Sequence, residues 1–404
     1  MNTFFDSQLL EGAAILGEVA IGYAPMIDRD RRIVATRLSV HSLRDDGEID
    51  ASRLLAALIE GRIAGGPPVL LDADSPGLMQ DLPVCEPDTN LMIEVPLAIA
   101  GDWRHARGLR AMHERGNTLM LKGSGRVELP AGLIDCFSHL IRGFDAAAEA
   151  QSEPRPRLPA GMRLVRSGVR SVADMEWCFQ SGAHAIVGWP LNAPMHPPKR
   201  NKVRHELGVI IELIERVDAE EPIDRLEDTL RRDPTLAFHL LRHLNSAAFG
   251  LRTEISSFRQ AIMMLGYTKL RRWLALLLIT TGTNVSECPL KFAAVRRGLL
   301  MAELVSYSGD DHLASELFIC GAFSLLDKML GERFSELFRT VRVSADVRAA
   351  LVDDTGPYLP FFDLVRAVES GRPEEIRRGA AALSIAVTEV NRATLRALAN
   401  AAGL

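Results

Sequence analysis

His239 and His243 stand four residues apart in a segment of helical pattern, with Asp233 a short way upstream, a spacing that lets two imidazoles face one ion. The surrounding sequence offers no further ligand, so the pair reads more simply as ordinary helix residues, and no metal is expected. Lys269, Arg271 and Arg272, with Arg296 and Arg297, form a cationic set that could hold phosphate or an acidic partner; the plainer reading is a solvated helix face. Gly123-Ser124-Gly125 is a Gly-rich turn carrying a hydroxyl. It lacks the G-x-S-x-G spacing of a nucleophile elbow and is too short for a dinucleotide fingerprint. Cys85, Cys136, Cys178, Cys288 and Cys320 are scattered without a C-x-x-C pair, which fits reduced thiols in a core and argues against a zinc ribbon.

The elements that must position such residues fall into two halves. With 404 residues, 47% hydrophobic and 25% charged, the chain is long enough for two domains and too apolar for disorder. No apolar run approaches the roughly 18 residues of a membrane span. Met1 to Leu10 carries Asp6 and no Lys or Arg, unlike a secretory signal, so a cytoplasmic protein is expected. Net charge is −5, with 19 basic against 25 acidic residues before Met195 and 28 against 27 after it. Neither half has the basic excess that nucleic-acid binding through phosphate contacts requires.

Pro190, Pro194, Pro197 and Pro198 mark a boundary no helix passes, which divides the chain into residues 1–195 and 196–404. Before it, strand patterns at Ile33–Val40, Val69–Leu71, Leu91–Val95, Thr118–Leu121, Met162–Val165 and His184–Val187 alternate with amphipathic helices at Ala51–Glu60, Trp103–Arg115 and Val172–Ser181. That alternation predicts βαβ units around a parallel sheet. After it the pattern is all helical: His205–Val217, Phe258–Leu265 closed by Gly266, Thr268–Thr281, Leu290–Tyr307, His312–Leu330, Phe361–Ser370 and Glu374–Ala399.

The segment Arg231–Leu277 carries the spine DPTLAFHLLRHLNSAAFG followed by SSFRQAIMMLG, and this combination resembles the HDOD family of bacterial signalling domains. The resemblance extends through Glu316–Leu330 and Gly356–Gly371 and implies a helical relative of the HD phosphohydrolases that lacks their metal ligands. None of the ten histidines here is followed by Asp, in keeping with that. Proteins with such a C-terminal half commonly carry an EAL-type barrel in front, the fold of cyclic di-GMP phosphodiesterases. Pro25–Asp28 with Ile33–Leu38, Ile93-Glu94, Gly116–Gly125 and Arg166–Gly188 resemble that barrel in order. The expected architecture is therefore α/β then all-α: a degenerate TIM-like EAL barrel followed by a helical HDOD domain.

The resemblance also implies a two-metal site built from carboxylates at strand ends. The family's signature Glu falls at Thr36 or Arg37, its Asn at Asp72, and its next Glu on Glu94. Its paired Asp fall on Lys122-Gly123, its K-x-D pattern on Asp135 and Phe137, and its late acidic element on Arg166-Ser167-Gly168-Val169-Arg170. With cations at Arg37, Lys122 and Arg170, the resemblance implies a degenerate site, no catalysis and no cofactor, and speaks against cyclic di-GMP as a partner. The alternative is a cyclic di-GMP receptor or weak phosphodiesterase. By family resemblance the outputs are motility, biofilm, stress response or virulence control, through contacts with signalling proteins or a second copy of the chain. Phe249, Met263, Tyr267, Lys269, Arg271 and Arg272, with Met264 and Trp273 nearer the core, have the composition of an interaction surface. Reversing Arg271 and Arg272 should then leave the melting transition unchanged.

Overall fold

In the computed structural model, residues 14–60, 68–73, 78, 81–82, 91–124, 129–145, 158, 161–191, 203–231, 258–280, 289–341 and 343–400 are described. The chain forms two compact units, Met1–Ala193 with Arg366–Leu395, and Pro194–Val365 with Arg396–Leu404. The first unit thus takes in residues 366–395, which the sequence pattern grouped with the helical half.

Eight strands close into a barrel in sequence order: β1 (Val19–Asp28), β2 (Ile33–Ser42), β3 (Val69–Ala73), β4 (Leu91–Pro96), β5 (Thr118–Lys122), β6 (Phe137–Gly143), β7 (Arg163–Val169) and β8 (Ala185–Gly188). Neighbours from β2 to β8 are parallel, but β1 runs antiparallel to both β2 and β8, unlike the all-parallel sheet predicted. The reason is local. A tight turn joins β1 to β2, with Asp28 N–H donating to Arg32 O (2.9 Å), Arg32 N–H donating to the Asp28 carboxylate (2.8 Å) and Arg31 at φ 64. Strands joined so closely must run in opposite directions. Helices α1 (Ala51–Glu60), α2 (Leu97–Gly101), α3 (Trp103–Glu114) and α4 (Val172–Gln180) lie in the crossovers. Asp102 caps α3 by accepting from Arg104 N–H, and Ser171 caps α4 by accepting from Asp174 N–H. Met26, Ala35, Leu70, Met120, Ile141, Val165, Ala185 and Val187 fill the barrel as one apolar cluster.

The helical unit contains α5 (Val203–Asp218), α6 (Ile223–Arg231), α7 (Phe258–Thr280), α8 (Pro289–Glu303), α9 (Asp311–Phe323), α10 (Leu326–Leu330), α11 (Phe334–Thr340) and α12 (Ala345–Val352). Gly266 at φ 71 kinks α7 at the break the sequence predicts. Helix α13 (Leu359–Ser370) is followed, within the barrel unit, by α14 (Pro373–Ala382) and α15 (Val387–Asn400, whose last residues fall in the second unit). One continuous helix predicted over Glu374–Ala399 is two, because Ser384 takes φ 55 between them.

Candidate functional site at the barrel mouth

Side chains alternate along a strand, so the residue two places after a core residue also points into the barrel, one layer nearer the strand's C-terminal end. Counting from Ala35 on β2, Leu70 on β3 and Met120 on β5 gives Arg37, Asp72 and Lys122; the half-buried Met92 on β4 leads to Glu94. These four side chains meet. Arg37 clamps Glu94 through Nε to Oε1 at 2.6 Å and Nη2 to Oε2 at 2.8 Å, and its Nη2 also donates to Asp72 Oδ2 at 2.6 Å. Lys122 Nζ donates to Asp72 Oδ1 at 2.6 Å and stands 3.8 Å from Glu94 Oε2. The Glu94 side chain is fully buried and those of Asp72 and Arg37 nearly so.

Arg37, Asp72 and Glu94, buried this close together, shift one another's ionisation. Burial pushes Glu94 up to about 7 against the hydrogen bonds and charge of Arg37. Burial acts the same way on Asp72, but Arg37 and Lys122 outweigh it and hold Asp72 below the usual carboxylate range. Burial also opposes the charge on Arg37, and its bonds to Glu94 and Asp72 more than restore it. The cluster is neutral with Glu94 ionised and carries one positive charge with Glu94 protonated. Divalent ions want several free oxygens. Here both carboxylates are engaged by cations, and among the described residues no group of three His, Cys, Asp or Glu could hold a metal ion. The arrangement does not fit a two-metal centre.

Of the positions Thr36 and Arg37, the structure places Arg37 in the site, while Thr36 is buried outside the cluster. Gly123 closes β5 with its N–H donating to Ile141 O at 3.0 Å. Asp135 does not reach the mouth: it sits in the turn before β6 and lines a cavity of about 440 Å³ with His113, Asn117 and Cys136 at the strands' opposite ends. The β6 residue paired with Lys122 is Ile141, so strand register assigns this place differently from sequence order. Ser167 ends the β6–β7 pairing, and Arg170 lines a second cavity of about 370 Å³ at the mouth. That cavity also includes Arg37, Tyr23, Trp189, Arg366 and Arg372, of which only Arg37 and Arg170 were singled out from sequence. Tyr23 and Trp189 meet edge to face at 5.5 Å. Their β1 and post-β8 positions carried no signal, since their proximity depends on barrel closure.

Of the cationic set of the helical unit, Lys269 is exposed and the four arginines are partly or fully buried. Arg271 pairs with Asp218 at 2.5 Å and with the buried Glu316; Arg272, whose pKa burial lowers, lies over the Phe318 ring at 4.5 Å. Arg296 and Arg297 are buried, the first 3.9 Å from the Phe292 ring centroid and the second bonded to Ser324 Oγ. Tyr267 donates to Glu221 O at 2.8 Å. Of the expected surface, Met263 and Lys269 are exposed, whereas Phe249 and the Met264 side chain lie outside the described residues, as do Asp233, His239 and His243. Arg271 thus sits in ion pairs and Arg272 over an aromatic ring inside the helical unit, so reversing them is expected to lower its stability rather than leave the melting transition unchanged. Cys136, Cys178 and Cys320 are buried thiols outside any disulfide. Among the described residues no helix is long and apolar enough to cross a membrane.

Comparison with known proteins gives a family match for part of the chain. The HDOD domain family matches residues 207–332. Curated relatives include the Uncharacterized protein YuxH of Bacillus subtilis, 29% identical over 164 residues that cover 39% of this chain and 40% of that protein. The Cyclic di-GMP phosphodiesterase CdgJ of Vibrio cholerae is 26% identical over 235 residues, 57% of this chain and 53% of that one. The chain thus spans about half the length of these relatives or less. Among solved structures, the Bacillus subtilis YkuI protein, with an EAL domain and in complex with substrate cyclic di-GMP and calcium, is similar at TM-score 0.32 and 13% identity, over 62% of this chain and 74% of that one. Two expectations are corrected by these relatives. The reading that the chain is no enzyme and the reading against cyclic di-GMP both give way because the relative CdgJ is named a cyclic di-GMP phosphodiesterase. Both had rested on counting lost carboxylates at single positions. Residues 207–332 are an HDOD domain, and the closed barrel ahead of them has EAL-domain structures among its neighbours.

Proposed function

We propose that the protein is a cytoplasmic cyclic di-GMP receptor that takes the dinucleotide at the C-terminal mouth of its barrel and passes the signal on through protein contacts of its HDOD half. The observation that carries this reading is the neutralised cluster: Arg37 and Lys122 on Asp72 and Glu94. Bare carboxylates at a barrel mouth repel phosphodiesters unless metal ions intervene. Built-in cations remove that repulsion, so an anionic ligand can approach where barrels of this kind place their ligands. The adjoining cavity supplies the aromatic pair Tyr23 and Trp189 beside further arginines. A second reading, phosphodiesterase activity, is favoured by the name of the relative CdgJ.

Calorimetry of the full chain with cyclic di-GMP tests the first reading. A dissociation constant on the order of 1 µM, about −8 kcal/mol, is expected. Absence of heat and of competition at hundred-fold higher ligand overturns it. Incubation with ligand and Mn²⁺ tests the second: linear dinucleotide that appears with wild type and not with Glu94→Gln supports phosphodiesterase activity, and no product refutes it.

A further inference from the structure

One wall of the mouth cavity comes from outside the barrel strands. Arg366, Glu369 and Arg372, at the end of α13 and just beyond, line it together with Tyr23, Arg170 and Trp189. All of them belong to the same compact unit. The returning segment is seated backbone to backbone: a Cβ on Gly22 of β1 would lie 2.4 Å from Gly371 Cα and 2.8 Å from Val368 O, and Gly371 itself takes φ 67. Farther along, the fully buried Asn391 donates to Leu16 O and Val19 O, both at 2.7 Å, and accepts from Ile21 N–H at 3.1 Å. Arg366 and Arg372 are therefore held at the mouth by a docked segment.

The charge balance shows what such a wall does. Arg37 and Lys122 are already matched by Asp72 and Glu94. The cations lining the cavity beyond that cluster are Arg170, Arg366 and Arg372, with Glu369 as the acidic group among them. The Arg170 side chain is exposed and has no hydrogen bond or ion pair among the described residues. Arg372 pairs with Glu375 in an exposed ion pair, which a phosphate can replace at little cost. Guanidinium groups match phosphate oxygens in paired geometry, and a ring face or edge nearby suits a base.

We propose that Arg366 and Arg372 of the returning segment, together with Arg170 of the barrel, form the phosphate-binding wall of the mouth, so that a bound nucleotide is held by the barrel and by residues C-terminal to the HDOD domain at once. This deepens the receptor reading and rests on it for the identity of the ligand. Two probes separate their fates: cyclic di-GMP and inorganic pyrophosphate, each titrated into the full chain, into Arg366→Gln/Arg372→Gln, and into Arg170→Gln. Both variants are expected to melt as wild type does and to bind each probe at least about tenfold more weakly, a loss that shrinks as salt rises. Wild type that binds pyrophosphate but not cyclic di-GMP overturns the receptor reading and leaves the arginine wall standing. Cyclic di-GMP binding that survives in the double variant while Arg170→Gln loses it overturns the wall and spares the receptor. Should the double variant melt early, single Arg366→Lys and Arg372→Lys variants take its place, with retained charge and lost paired geometry; unchanged pyrophosphate binding in both overturns the proposal.

Discussion

Replacing Arg37 by Met removes the cation that holds both carboxylates of the mouth and leaves a side chain of similar reach. Of its cations Glu94 then keeps Lys122, 3.8 Å away, while Asp72 keeps Lys122 at 2.6 Å. Stranding a fully buried carboxylate costs about 3–5 kcal/mol when one partner of a buried pair is deleted. That cost depends on pH in a direction the site fixes. Burial raises Glu94 to about 7 even with Arg37 present, and losing Arg37 can only raise it further. A carboxyl whose folded pKa lies above its unfolded value favours the folded state fully below the unfolded pKa near 4.5, and loses that contribution as pH climbs through the folded one. Protonation spares the variant its unpaired charge, so the deficit should be several kcal/mol at pH 8 and less than half of that at pH 5.5. Adding Glu94→Gln to Arg37→Met should recover much of the loss at pH 8. Hydrogen exchange of the β2–β5 amides in increasing urea reads the barrel separately from the helical unit. Equal losses at both pH values, or no rescue by Glu94→Gln, would refute the account of the cluster.

Asn391→Leu strands Ile21 N–H and the carbonyls of Leu16 and Val19, and should cost about 3 kcal/mol or more, seen as early protease cleavage within residues 366–395. Arg271→Glu sets a third carboxylate against Asp218 and the buried Glu316 and should lower stability by roughly 3–5 kcal/mol; an unchanged melting transition would contradict the ion-pair assignment. Burial, with His184 and Arg163 nearby, pushes His139 down to about 4, so its neutral form stabilises the barrel above about pH 6.5 and that contribution is lost as pH falls toward 4. His139→Asn should flatten this acid limb by on the order of 1–2 kcal/mol in urea titrations, allowing for partial exposure. Cyclic di-GMP affinity should rise as pH falls from 8 to 6, because protonating Glu94 leaves the mouth one positive charge; calorimetry at both values checks it.

The sequence by itself determined the fold class, the HDOD motif and the presence of cations near the ends of β2 and β5. These are local properties: period-two strands, helical stripes, a motif of fixed spacing, a residue type at a strand end. It also placed the break at Gly266, where a residue without Cβ takes positive φ at no steric cost. Two strands escaped it. Val19–Asp28 is buried along almost its whole length and so lacks alternation, and Phe137–Gly143 carries His139 and Arg142 among its apolar residues.

What tertiary structure alone decided is which distant residues meet. Whether Arg37 repels a metal, binds an anion or neutralises Glu94, 57 residues later, depends on β2, β3 and β4 being neighbours in register, a pairing no local pattern carries. The same holds for Asp135, which the family resemblance put in the site and the fold puts at the opposite end of the strands. Arg271 and Arg272 read as surface because cations usually are, yet facing helices supplied Glu316, Asp218 and the Phe318 ring and drew them inward. The return of residues 366–395 to the barrel is the clearest case. Its anchors, Gly22 with Gly371 and Ile21 with Asn391, join residues more than three hundred positions apart, and only a closed barrel with its first strand reversed presents the edge on which they dock.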